Sequence, residues 1–136
     1  MEIEGLEWWH FELTEDACNY LLDLTLAGTK RATSSSLYAF EAEGEQIPQA
    51  GELSVICDWD NNPRCVVRTT RVTVIPFSDV TFDLARLEGE DTTLKSWRRK
   101  HEEFFRAEGA ELGYSFSWDM DVVFEEFEVV EAIETA

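Results

Sequence analysis

The chain has 136 residues, 44% hydrophobic and 29% charged, the length and balance of a compact globular unit rather than of a disordered chain. Its 29 acidic residues against 11 basic ones give a net charge of −18, which argues against a protein that lives on duplex DNA or on a membrane surface, where Lys and Arg supply most of the affinity. A small uncharged ligand, or a short local contact with single-stranded RNA, remains compatible with that charge.

The N-terminus, Met1-Glu2-Ile3-Glu4, is acidic where a secretory signal would be basic and then apolar. Thr14-Glu15-Asp16 places a capping hydroxyl and two carboxylates where a helix start favours them. Leu21, Leu22 and Leu24 follow at helical spacing, and Gly28 is placed to end the helix in the left-handed region, so a helix is predicted over 14–27. Ala32-Thr33-Ser34-Ser35-Ser36 is too rich in hydroxyls for a helix interior. A short helical turn is expected over 37–40, and 41–51, with Pro48, reads as an exposed loop.

Leu53–Cys57 and Cys65–Ile75 are β-rich and flank Asp60-Asn61-Asn62-Pro63, which predicts a hairpin closed by a turn and ended by Pro76. A short helix is expected over 79–87. A longer one is expected over 93–107, where Leu94, Trp97, His101, Phe104 and Phe105 form an apolar stripe. Asp121–Ile133, with Val122, Phe124, Phe127 and Val129 between acids, reads as one or two strands. The order of elements predicts α+β with a mostly antiparallel sheet, curled into a small barrel.

No linker-like stretch divides the chain, so 1–136 reads as one domain. No apolar run nears the roughly 20 residues that span a bilayer. Cys18, Cys57 and Cys65 form no CxxC pair and read as reduced thiols of a cytoplasmic protein. No cofactor motif is present, and two histidines with scattered thiols predict no metal site.

Gly28-Thr29-Lys30-Arg31-Ala32-Thr33-Ser34-Ser35 sets a lysine beside several hydroxyls. Such a lysine can stabilise or generate an alkoxide; alternatively, Lys30 and Arg31 simply complement a helix C-terminus. The phosphate-loop spacing is missing. Glu88-Gly89-Glu90-Asp91 offers paired carboxylates that could hold a lysine or shuttle protons, or that merely decorate a helix start. His101 is either a proton shuttle or a hydrogen-bonded residue at the core edge. Asp119, Asp121, Glu125 and Glu126 lack calcium-loop spacing and read as solvated faces of strands. Trp8, Trp9, Tyr38 and Trp118 present flat faces that could stack a base, and at least two of them are expected to be core. Lys95, Arg98, Arg99 and Lys100 form the one basic cluster.

Three pieces carry a family resemblance: Gly28-x-Lys30-x-x-Thr33, Gly51-Glu52 entering the hairpin, and Glu88-Gly89-Glu90 followed by Trp97-Arg98-x-x-His101-x-x-Phe104-Phe105. In this order, over about residues 8–131, the chain resembles the small stand-alone bacterial proteins of the ASCH family, related to the PUA-like barrels. The resemblance implies a PUA-like small β-barrel with flanking helices around a cleft for RNA or a modified nucleoside. It further implies either an amidohydrolase that deacetylates N4-acetylcytidine or a single-stranded RNA-binding module or ribonuclease.

Carried over residue by residue, the hydrolase lysine is Lys30, its threonine Thr33 and its glutamate Glu90, with Glu88 as the alternative. Arg31, Ser35, Glu88, Trp97, His101 and Ser117 are the substrate-binding candidates, and Ser115 or Ser117 matches the late hydroxyl of the ribonuclease reading. Ser35 stands where those hydrolases commonly carry arginine, which bears on substrate recognition. In the implied mechanism Thr33 attacks the acyl carbon, Lys30 accepts its proton or stabilises the oxyanion, and Glu90 holds Lys30 or protonates the leaving amine. A lysine base must be neutral when it acts, which burial favours and neighbouring acids oppose.

Overall fold

A computed structural model describes residues 2–11 and 14–134, so the first residue of the acidic N-terminal run lies outside the described part. In chain order it gives β1 (Glu7–Trp9), α1 (Glu15–Leu26), β2 (Ala32–Ser36), α2 (Leu37–Glu43), β3 (Leu53–Cys57), β4 (Pro63–Pro76), α3 (Phe82–Ala85), α4 (Leu94–Leu112) and β5 (Asp121–Ala132). Single 3₁₀ turns at Phe77–Asp79 and Arg86–Glu88 flank α3.

The five strands run β1-β3-β4-β5-β2 in one sheet, curled into a half-barrel. All neighbours pair antiparallel except β1 with β3, which places Trp8 beside Val55. The fold class is thus the expected α+β, with two edge strands that composition did not announce. β1 has only three residues, and β2 is the hydroxyl run 32–36. Strand pairing with β5 over the full length of β2 overrides the weak strand signal of serine.

Local chemistry explains the element ends. Thr14 Oγ1 accepts from the Ala17 amide at 3.2 Å and starts α1, which ends before Gly28 in the left-handed region at φ +80°. Ser36 caps α2, accepting from the Ala39 amide at 3.1 Å, so this helix runs on to Glu43 and takes up the start of the expected loop 41–51. Between β3 and β4, Asp58 Oδ1 accepts from the amides of Asp60 and Asn62 and ties the turn. The helix expected over 79–87 is broken into two 3₁₀ turns and the four-residue α3. α4 outruns its expected end at 107 and stops at Gly113, φ +90°.

Of the three interior clusters among the described residues, two join helices to the sheet. One joins α1 to it through Phe11, Cys18, Leu22, Ile56, Val67 and Phe127. The other seats α3 and α4 on it through Phe77, Ala85, Trp97, Phe105, Met120 and Val122. Among the described residues no helix is long and apolar enough to cross a membrane.

Candidate active site

The segment 28–31 is strapped on three sides. Thr29 and Lys30 donate their amides to the Leu24 carbonyl at the end of α1, at 2.9 and 3.0 Å. The Arg31 amide donates to the Leu87 carbonyl at 2.7 Å, and the Arg31 carbonyl accepts from the Phe127 amide of β5 at 2.9 Å. Gly89, at φ +80°, packs so closely that a Cβ there would lie 2.7 Å from the Thr29 carbonyl oxygen. This backbone contact brings the glycine-lysine motif and the Glu88-Gly89-Glu90 motif together across 58 residues of sequence.

Their side chains meet in the interior. Lys30 is 2% exposed, and its Nζ lies 3.5 Å from Glu88 Oε1 and 3.7 Å from Glu90 Oε2. The ammonium also sits 5.4 Å from the centre of the Phe11 ring. A buried lysine needs such partners, because an isolated buried charge is costly.

The two carboxylates are not equivalent. Glu88 Oε2 accepts from Ser34 Oγ at 3.0 Å and from Trp97 Nε1 at 2.7 Å, while Oε1 lies 3.3 Å from His101 Nε2. Burial works to raise the Glu88 carboxyl, but the charges of His101 and Lys30 and the hydrogen bonds from His101 and Trp97 outweigh it and hold it at about 2. Glu90 makes fewer contacts, and burial pushes its carboxyl above the ordinary range; Lys30 opposes that shift and the Glu88 charge adds to it.

His101 completes the cluster. Its Nδ1 donates to the Trp97 carbonyl at 2.8 Å and its Nε2 to the Glu88 carboxylate. A ring that donates from both nitrogens is an imidazolium. Burial lowers its pKa, and the Glu88 charge, the hydrogen bonds to Glu88 and to the Trp97 carbonyl and the Glu90 charge together outweigh it, leaving it raised. The ring also stacks on Trp97, with centroids 4.1 Å apart. The helical stripe Trp97/His101 of α4 therefore serves the site by holding Glu88.

The remaining candidates scatter. Thr33 is half-buried on β2 opposite Glu125, and strand alternation sets it on the other face from Ser34 and Ser36. That face carries Glu125 and Phe127, and Phe127 packs in the same cluster as Phe11, over whose ring Lys30 lies. Ser35 is half-buried opposite Val123, and the Arg31 side chain is exposed. Trp97 is fully buried and so acts on the site through Glu88. Ser117 hydrogen-bonds Asp119 in the turn before β5, and Ser115 is exposed nearby.

Two expectations are corrected by burial. Of the four aromatic candidates Trp9 is half-buried against the core, whereas Trp8, Tyr38 and Trp118 are 43%, 41% and 51% exposed. Glu125 is not a solvated strand residue: it accepts from Thr69 Oγ1 at 2.7 Å, and burial, aided by the charges of Glu52 and Glu7, raises its carboxyl. Sequence reasoning passed over Ser34 and Phe11 as partners of the site. The period of β2 could have singled out Ser34, had its strand been recognised.

The model of the ASCH domain family matches residues 7–131. Among solved structures, protein EF3133 from Enterococcus faecalis V583 superposes with a TM-score of 0.88 at 34% identity, covering 97% of this chain and 80% of that one. The ASCH domain from Lactobacillus crispatus JV V101 superposes with a TM-score of 0.83 at 38% identity, covering 91% and 80%. The hypothetical protein PH0355 shares the fold alone, at 17% identity and a TM-score of 0.57, over 90% of this chain and 99% of that one. No curated protein matches the sequence.

Proposed function

Since the chain belongs to the ASCH domain family, we propose that its Lys30 cluster is the centre of an amidohydrolase that deacylates a small acylated nucleoside of the N4-acetylcytidine kind. The observation that carries this reading is the pairing of one buried lysine with two carboxylates of opposite character. Glu88, held low and engaged by Ser34, Trp97 and His101, is an anchor for Lys30. Glu90, raised by burial and less engaged, is the carboxylate better suited to accept and return a proton.

In this mechanism the substrate acyl carbon is attacked by Thr33 Oγ1, and the hydroxyl proton passes to Glu90. The Lys30 ammonium, fixed between carboxylates, stabilises the oxyanion that forms at the acyl oxygen. Glu90 then returns the proton to the departing cytosine amine as the C–N bond breaks. Water, deprotonated by Glu90, cleaves the acyl-threonine ester and regenerates the hydroxyl. Ser34 is the less suitable nucleophile, because its hydroxyl already donates to Glu88, a very weak base.

The test is release of cytidine from N4-acetylcytidine, followed by HPLC for wild type, Thr33→Ala and Glu90→Gln. Both variants are expected to lose activity by at least about 100-fold, the usual share of a proton-transfer group, at little cost in melting temperature. Activity kept by a folded Thr33→Ala would remove the acyl-threonine route.

A further inference from the structure

α4 presents a second face. Beside the inward residues Trp97, His101 and Phe105, the side chains of Lys95, Arg98, Arg99, Glu102 and Glu103 line an open groove of about 560 Å³ together with Trp118. That volume falls in the range of about 300–1,000 Å³ typical of small-ligand sites.

The groove keeps an aromatic ring partly in water. Trp118 is 51% exposed, yet its ring packs edge-on against Phe77 and Phe116, with centroids 5.5 and 5.8 Å apart. Its carbonyl also accepts from the Ser78 amide at 2.8 Å. The ring is thereby held in place while about half of the residue's surface stays in water.

The cations beside it are uncommitted. In a chain with 29 acidic residues, Lys95, Arg98 and Arg99 join no ion pair among the described residues. Glu102, which shares the groove, is tied to Arg106 at 2.9 Å. The Arg98 guanidinium reaches only the Ser78 carbonyl, at 3.4 Å, and its Nε is buried without a partner. An aromatic ring beside three cations that form no ion pair, with Glu103 the remaining acid of the lining, matches a planar base that carries a phosphate.

We propose that this groove is a second ligand site, which takes a nucleotide unit with its base stacked on Trp118 and its phosphate on Lys95, Arg98 and Arg99. It shares no residue with the Lys30 cluster and does not depend on the hydrolase reading. The unit is either a free nucleotide or part of a single strand.

Fluorescence anisotropy of the full-length protein with a labelled short oligocytidylate tests this, with CMP and an oligoglutamate peptide as competitors. The strand should bind at low salt and weaken roughly 2.5-fold between about 50 and about 200 mM salt, as the one phosphate held by the groove requires. Trp118→Ala should weaken it about 10-fold, and the double variant Arg98→Glu/Arg99→Glu should abolish it, with circular dichroism confirming both folds. CMP competing as well as unlabelled strand would identify a free nucleotide, and competition by the strand alone would identify a nucleotide within a chain. Absence of binding at low salt, binding unchanged in both variants, or equal competition by oligoglutamate would each overturn the proposal.

Discussion

Glu88 shows how one buried carboxylate organises its neighbours. Lys30, Ser34, Trp97 and His101 all direct donors at it, and each comes from a different part of the sequence or a different turn. The pair it forms with His101 sets a pH window. Glu88 is held near 2 against an ordinary 4.5, so its contribution to stability is full above 4.5 and is lost as pH falls toward 2. His101 is raised above 6.5, so its contribution is full below 6.5 and is lost as pH rises through the folded value. Glu90, raised above 4.5, acts in the same sense as His101 and drifts off at lower pH. Melting temperature should therefore decline on the alkaline side of 6.5 in wild type and decline less in His101→Phe. An unaltered alkaline slope in that variant would separate His101 from the effect. Removing one partner of a buried ion pair typically costs about 3–5 kcal/mol, so Lys30 variants need a folding control.

At the scale of elements, the site depends on backbone contact as much as on side chains. Gly89 touches the Thr29 carbonyl and lies in the left-handed region, whereas Gly44 has a similar φ with open space around it. Gly44→Ala should thus cost only the left-handed penalty of about 1–2 kcal/mol. Gly89→Ala adds a clash that pushes 86–89 away from 28–31, and should lower both melting temperature and activity by clearly more. Equal losses in the two variants would show that the contact does not position the site. The two long helices and the central hairpin were legible from capping residues, apolar period and the Asp60–Pro63 turn, since these signals are local. β1 and β2 were not, because a three-residue strand has no period and a serine run becomes a strand only once β5 lies beside it. Lys30 and the glutamates were legible as residues. Which glutamate anchors and which titrates was not, because that difference arises from burial by Trp97 and His101.

Over the whole molecule, charge sets the terms. A net −18 spread over a compact chain repels itself, so added NaCl should raise the melting temperature by a few degrees until screening is complete. A melting temperature that falls with NaCl would mean that ion pairs such as Arg68–Glu128 outweigh the repulsion. The acidic balance was readable from composition. Composition could not reveal that Lys95, Arg98 and Arg99 gather around Trp118, which lies on a different segment of the chain.

The most direct measurement is HPLC of N4-acetylcytidine incubated with wild type and with Lys30→Met, each verified as folded by circular dichroism. The account predicts cytidine from the wild type and none above background from the variant. No cytidine from the wild type, or equal release by the folded variant, would contradict it.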